Sequence, residues 1–205
     1  MNKSKKTENC GENKQKKPPL GTVLFAVGAL LLALALVFTV TWAVSEVNYR
    51  KKSPQILSEL DSLLPEVKKG SPDDRVNTSH AMVDIDGESF IGIIELPAYN
   101  TRLPVGSSWG KSSLKAYPSR YLGSLYDGSL TVGGSYSDGQ FDFMDSVTEW
   151  DSVFFTDVTG KRYSFEVSEV LIDDSINEAE WQKDASLVLF ARRDGKYTVV
   201  KCNIA

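Results

Sequence analysis

The stretch WDSVFFTDVTGKRYSFEVSEV, residues 150–170, shows the clearest structural pattern in this chain of 205 residues. Apolar and polar residues alternate over residues 163–168, and a period of two is typical of a strand with one buried face. Thr159 and Gly160 supply turn residues between this strand and the apolar run before it. The stretch therefore predicts a β-hairpin.

Short runs of the same character continue on both sides of the hairpin. They are rich in β-branched and aromatic residues and are separated by glycine, aspartate and serine, which favours strands joined by turns. The predicted strands span residues 82–85, 90–96, 129–132, 153–157, 163–172, 187–190 and 197–202. This number of short strands predicts a mostly β domain, built as a sandwich or a small barrel.

The N-terminal part of the chain has a different composition. Residues 20–44 contain no charged residue, and these 25 residues at about 1.5 Å each exceed the roughly 30 Å hydrocarbon core of a bilayer. A cleaved signal peptide has an apolar core of only about 7 to 15 residues, so the run predicts an N-terminal transmembrane signal anchor. Six lysines precede it, which predicts a cytoplasmic N-terminus and an extracellular domain.

A polar and partly helical segment links the predicted anchor to the β domain. Apolar residues recur at helical spacing over residues 53–69, with Ser53 as the predicted N-cap and Pro54 at the first helical position. Pro65 is expected to stop or kink this helix. The predicted divisions are a basic cytoplasmic tail over residues 1–19, the anchor over 20–44, a helical stalk and linker over 45–80, and the β domain over 81–205.

Charge and cysteine usage exclude some classes of protein. Residues 1–52 hold nine of the 23 basic residues and three of the 27 acidic residues, so residues 53–205 carry a net charge of −10. A domain this acidic does not favour nucleic acid. Cys10 and Cys202 lie on opposite sides of the membrane in the predicted topology, so no disulfide framework is expected.

Three stretches follow one another along the β domain: IGIIELPAYNTRLPV (91–105), SLTVGGSYSDGQFDFMDSV (129–147, directly before the hairpin) and LVLFARRDGKYTVVKC (187–202). In order and spacing they resemble the sortases, membrane-anchored cysteine transpeptidases that attach surface proteins and pilins to the Gram-positive cell wall. The first resembles the family's opening strand and its proline-valine turn. The second resembles its histidine-bearing strand end and a loop with an FxxL-like element, and the third its cysteine strand, short loop and arginine strand.

The resemblance covers roughly residues 82–202 and implies a sortase-like closed β-barrel of eight strands with short helices. It also assigns positions to the family's catalytic groups, which are a thiolate nucleophile, a histidine acid and an arginine. Ser135 occupies the position of the histidine, Arg192 that of the cysteine and Tyr197 that of the arginine. Residues 192–196 are expected to form the loop between the last two strands. No catalytic residue of the family is therefore expected here, and no cofactor is implied.

Some alternatives for chemistry remain in the sequence. Cys202 is on the final strand, where either a structural role or an exposed edge is expected, and His80 precedes the first barrel strand without a partner nearby in sequence. Ser135 is a conceivable nucleophile, but neither histidine nor lysine stands beside it in sequence as a base. Three acids with the spacing of calcium ligands alternate along one predicted strand, Asp84, Asp86 and Glu88. Such acids are more often the solvent face of a strand, so no metal is expected.

The resemblance, together with the predicted topology, implies a degenerate sortase on the outer face of a Gram-positive cell membrane. Because activity depends on the site and not on the fold, the function expected of such a domain is binding. The expected role is accessory, in the anchoring of cell-surface proteins or pilins, with a sorting-signal peptide, a pilin or an intact sortase as partner. One alternative is an active sortase-type transpeptidase or peptidase that uses other residues, and another is a structural domain with no ligand groove left.

Overall fold

The computed structural model describes residues 20–69, 81–110, 113–137 and 139–205. The chain divides into two compact units, Met1–Ser45 and Glu46–Ala205. Helix α1, Leu20–Leu63, contains the boundary between them. Among the described residues, none of the helices combines the length and the apolar character required to cross a membrane. The anchor over residues 20–44 stays a prediction.

Helix α1 corrects the prediction for the stalk. Pro54 lies inside the helix and Ser53 is a buried interior residue, so a helix start at Ser53 is wrong. The proline removes one main-chain hydrogen bond, and helix-forming residues on both sides continue through that gap. The helix ends at Leu63, two residues before Pro65, which confirms that this proline stops it.

The second unit is mostly β. Its described residues form ten strands, β1 (Lys68–Lys69), β2 (Val83–Ile85), β3 (Glu88–Leu96), β4 (Thr101–Gly106), β5 (Ser119–Leu122), β6 (Leu130–Ser135), β7 (Ser152–Asp157), β8 (Lys161–Asp173), β9 (Leu187–Arg193) and β10 (Lys196–Ile204). Helix α2 (Glu178–Gln182) precedes β9. Short 3-10 helices occur at Pro97–Tyr99, Ser113–Lys115 and Asp142–Asp145.

The strands close into a barrel. They follow the order β1-β8-β10-β9-β6-β5-β4-β3-β2, and β7 pairs with both β3 and β8. The closed ring therefore has eight strands, with β1 and β2 attached outside it. A closed barrel leaves few free sheet edges, which suits strands this short. The expected fold class, a mostly β closed barrel with short helices, is confirmed.

The predicted strands agree with the observed ones, and the hairpin of residues 150–170 is confirmed. Phe155 pairs with Tyr163 across β7 and β8, with Gly160 in the turn at a φ of +82°. Strands β1, β4 and β5 were not predicted. The proline-valine segment is part of β4 and not a turn, because Pro104 pairs with Ile93 of β3. A proline fits a strand where its missing N–H is not required by the neighbouring strand.

Two strands bury both of their faces, which positions other elements on the barrel. On β3, Ile94 points into the barrel core, while its neighbour Ile93 packs in an outer cluster with Ile56 and Leu60 of helix α1. On β9, Leu189 belongs to the barrel core, while Phe190 packs with Trp181 of helix α2. The stalk end of α1 and helix α2 therefore rest on outer faces of β3 and β9.

Candidate functional site

The end of β6 and the end of β9 meet at one end of the barrel. The two strands are parallel, and Ser135 is in register with Arg192. Strand β10 runs antiparallel on the other side of β9 and places Tyr197 opposite Arg192. The structure thus brings together Ser135, Arg192 and Tyr197. Their equivalence to catalytic positions of the sortases stays a prediction.

Two glycines before Ser135 allow aromatic rings to approach β6 closely. A Cβ atom on Gly133 would lie 2.1 Å from Cζ3 of Trp109, and one on Gly134 would lie 2.6 Å from Cδ2 of Phe141. No side chain larger than hydrogen fits at these distances. The Gly-Gly pair is therefore explained by the packing of Trp109 and Phe141 on either side of the strand end.

The hairpin from β9 to β10 is tighter than expected. Arg193 still pairs with Lys196, so the loop consists of Asp194 and Gly195 alone. Both have positive φ, 50° and 88°, which is typical of a two-residue type I′ turn. The prediction of a loop over residues 192–196 is wrong at its ends, because an Asp-Gly turn lets Arg192 remain in the strand ladder.

A cavity of about 310 Å³ opens beside these strand ends, and we call it the barrel-end cavity. Its lining residues are Trp109, Leu114, Lys115, Gly134, Ser135, Tyr136, Ile176, Phe190, Arg192 and Tyr197. Aromatic rings form its apolar wall, with the Trp109 and Phe190 centroids 5.4 Å apart. Arg192 stacks over the Tyr197 ring at 5.6 Å. Such a site offers an aromatic surface next to a cation and a hydroxyl group.

The neighbouring arginine has a different environment. Arg193 donates hydrogen bonds to Asp145 at 2.6 Å and to the Tyr136 hydroxyl at 2.7 Å. Hydrogen bonds from Tyr136 and from the Arg193 guanidinium hold the pKa of Asp145 below its usual range. The hydrogen bond between Tyr136 and Asp145 also raises the pKa of Tyr136. This exposed network fixes Tyr136 at the rim of the barrel-end cavity.

The other candidate residues lie apart from this cavity. Asp84 is on β2 and accepts a hydrogen bond from Ser89, Asp86 is in the turn with a φ of 52°, and Glu88 begins β3. The expectation that they alternate on one strand is therefore wrong, because an Asp-Gly turn folds the segment back. Among the described residues, no group of three or more histidine, cysteine, aspartate or glutamate side chains could hold a metal ion. His80 and Cys10 lie outside the described residues.

Cys202 is completely buried in the barrel core. Burial raises the pKa of its thiol to about 12, because apolar surroundings disfavour the thiolate. The unfolded chain, with a pKa near 9.0, loses this proton first as the pH rises. The thiol therefore stabilises the fold below pH 9, and this contribution is lost between about pH 9 and pH 12.

This burial makes alkylation of Cys202 a direct test. At pH 8 we expect the native Cys10→Ser protein to resist iodoacetamide, since only about one thiol in ten thousand would be ionised and access is blocked. The same protein unfolded in urea is expected to be alkylated fully within the same incubation time. Mass spectrometry of the intact chain measures both. Rapid modification of the native protein would show that the thiol is reachable and reactive.

Residues of the cavity that sequence reasoning missed come from distant segments. Trp109 follows β4, Lys115 ends a 3-10 helix, and Ile176 lies between β8 and α2. Only Trp109 has a local signal, since a tryptophan in the polar stretch GSSWG has no apolar neighbours to pack with. Lys115 and Ile176 have no such signal.

Comparison with models of known protein families gives no match, and neither does comparison with curated proteins. Solved structures do match. Sortase C1 of GBS pilus island 1 has a TM-score of 0.53 and 11% identity, over 75% of this chain and 92% of that one. A Clostridium perfringens sortase D5 transpeptidase has a TM-score of 0.53 and 12% identity, over 77% and 99%. Sortase A from Corynebacterium diphtheriae has a TM-score of 0.51 and 12% identity, over 88% and 95%. The chain therefore has a sortase-like fold.

Proposed function

We propose that this protein is a pseudo-sortase, a sortase-like domain that binds a ligand in the barrel-end cavity and does not cleave it. One observation carries the proposal: the described residues that line this cavity include no cysteine and no histidine. Acyl transfer of the sortase type requires a nucleophilic thiolate and a group that protonates the leaving amine. The buried Cys202 thiol, with its raised pKa, is a poor substitute.

The proposal includes attachment to a cell membrane, with the N-terminus in the cytoplasm and the barrel outside. Its support is the uncharged run of residues 20–44 preceded by six lysines. In this setting the role of the barrel is accessory. It binds a sorting-signal peptide, a pilin or an intact sortase during the anchoring of cell-surface proteins.

The test is an assay of peptide cleavage and transfer with the full-length chain in mild detergent. A quenched fluorescent peptide with an LPxTG-like sequence is incubated with a triglycine acceptor, and mass spectrometry measures hydrolysis and transfer products. We expect a rate equal to that of buffer, while an intact sortase in the same detergent turns the peptide over. General acid or base help contributes about 10² to 10⁴ in rate, and without a nucleophile the covalent route is absent as well.

A second candidate function is catalysis by other residues. Ser135 and Lys115 line the same cavity, and a serine with a lysine base is a known nucleophilic pair. Turnover by the unmodified chain that Ser135→Ala abolishes would favour this function over the proposal. The complementary variant carries the triple change Ser135→His, Arg192→Cys and Tyr197→Arg. Each of the three substitutions alone is expected to give no measurable turnover, because the effects of catalytic groups that act as a unit are strongly non-additive.

A further inference from the structure

Adjacent arginines of β9 differ in their partners. Arg193 is engaged by Asp145 and by the Tyr136 hydroxyl, as described above. Arg192 is exposed and lines the barrel-end cavity, and within the described part of the chain it forms no ion pair with a carboxylate. Its guanidinium instead lies over the Tyr197 ring. Arg192 therefore offers its N–H donors to a ligand in the cavity.

Polar groups near Arg192 reinforce its preference for an anion. Ser135 is in register with Arg192 across β6 and β9, and both residues line the same cavity. Lys115 contributes a second cation to the lining. The described lining includes no acidic residue that would oppose an anion. A guanidinium fork with a nearby hydroxyl matches the two oxygens of a carboxylate.

The rest of the lining is apolar and partly exposed. Trp109 and Ile176 each expose 40% of their surface. Trp109 is held in place by Tyr121, edge to face at 5.1 Å, and by Phe190, stacked at 5.4 Å. A rigid indole binds an apolar side chain with little loss of conformational freedom. The ligand is therefore expected to carry an apolar group beside its anion.

Cavity size and overall charge narrow the ligand class. A volume of about 310 Å³ is at the lower end of ligand sites, which span about 300 to 1,000 Å³. It suits one or two residues of a peptide. The net charge of −10 over residues 53–205 repels polyanions as a whole. A single carboxylate in contact with Arg192 is less affected, because charges more than about 8 to 10 Å away are screened.

We propose that the barrel-end cavity binds a peptide carboxylate that neighbours an apolar side chain, with Arg192 as the anion partner and Trp109 as the apolar wall. This inference rests on the proposed binding function and names the ligand chemistry of that site. The carboxylate comes either from an acidic side chain or from a peptide C-terminus. Both offer the same pair of oxygens to the guanidinium.

Binding of four short peptides separates these sources. The first is acetyl-Ala-Leu-Glu-Ala-amide, and its neutral counterpart has glutamine in place of glutamate. The other pair is acetyl-Ala-Ala-Ala-Leu with a free C-terminus and the same peptide as an amide. Isothermal titration calorimetry with the full-length chain in detergent measures each affinity. At least one carboxylate peptide is expected to bind with an affinity about tenfold or more above that of its neutral counterpart. This is the difference expected for one charge-assisted hydrogen-bonded pair.

Variants then assign this preference to the cavity. Arg192→Met is expected to weaken binding of the carboxylate peptide about tenfold or more and to leave the neutral peptide unchanged. Arg192→Lys is expected to recover only part of the affinity, because an ammonium lacks the planar fork. Lys196→Met is the matched control, since it removes one charge from the same hairpin outside the cavity. The affinity of this variant for the carboxylate peptide is expected to stay within about twofold of that of the unmodified chain.

Several results would overturn the inference: equal binding of both members of each pair, binding of none of the peptides, unchanged affinity in Arg192→Met, or equal loss in Lys196→Met. Displacement of the peptide by an equimolar amount of inorganic phosphate would also overturn it, because the site would then be a phosphate site. Mass spectrometry of the peptides after titration separates this outcome from failure of the proposed function. Intact but unbound peptides reject the carboxylate site alone, whereas cleaved peptides reject the pseudo-sortase.

Discussion

Replacement of Trp181 by alanine is expected to lower the free energy of unfolding of the barrel by about 3 to 5 kcal/mol, the range for a fully buried large aromatic side chain. Trp181 is 0% exposed and packs against Phe190 at 5.2 Å and Tyr197 at 5.7 Å between ring centroids. Its indole N–H donates to Asp173 at 2.7 Å. The change would leave a cavity under the outer face of β9 and remove the hydrogen bond to that carboxylate.

Pulse proteolysis in urea measures this effect on the full-length chain without depending on tryptophan fluorescence. The urea midpoint is expected to fall by about 2 M, given slopes of about 1 to 3 kcal/mol per molar for domains of this kind. The urea midpoint of Trp181→Phe is expected to lie between those of the unmodified chain and Trp181→Ala. The matched control is Trp150→Ala, because Trp150 is 77% exposed, and its expected change is within about 0.5 kcal/mol. Equal effects at both tryptophans would contradict the packing described for α2.

The second large effect is expected at the stalk end of helix α1. Leu60 is 0% exposed and packs with Ile56, Phe90 and Tyr117 on the outer face of β3. Leu60→Ala is expected to cost about 2 to 5 kcal/mol, through lost burial and the cavity left behind. Asp61 beside it accepts hydrogen bonds from Arg102, but these groups are partly exposed and contribute far less.

The control for this prediction is Leu63→Ala, since Leu63 belongs to the same helix end and is 54% exposed. Its expected change is within about 0.5 kcal/mol. Both variants are measured by pulse proteolysis in urea, with cleavage of residues 46–63 followed by mass spectrometry. If Leu60→Ala only frees this segment and leaves the urea midpoint of the barrel unchanged, the stalk end is not part of the cooperative unit.

The structural elements that sequence predicted well are those formed by local interactions. The hairpin of β7 and β8 has alternating faces and a Thr-Gly turn within one stretch. Strands β9 and β10 are joined by two residues, so their pairing follows from proximity along the chain. By contrast, β4 carries Pro104 and β5 is only four residues long, so neither has the composition of a strand. Their ladder partners in the barrel make them strands.

The predicted start of the stalk helix illustrates the limit of local signals. Ser53 and Pro54 have the composition of a helix start, and they lie inside a continuous helix. Capping residues only lower the cost of ending a helix, and they do not force an end where the next turn can form. The three acids over residues 84–88 show the same limit, because an alternation pattern cannot reveal that a turn interrupts it.

The amino-acid sequence by itself determined the β-rich character of the domain and the pairing of its last two strands. The resemblance to the sortases singled out Ser135, Arg192 and Tyr197, which lie at the ends of β6, β9 and β10. Only the tertiary structure decided that the barrel closes through β7, and that Trp109, Lys115 and Ile176 join these residues in one cavity. The physical reason is the separation along the chain of the residues that interact. Periodicity and turn residues report on neighbours along the chain, whereas a cavity depends on contacts between segments far apart in sequence, made when the barrel closes.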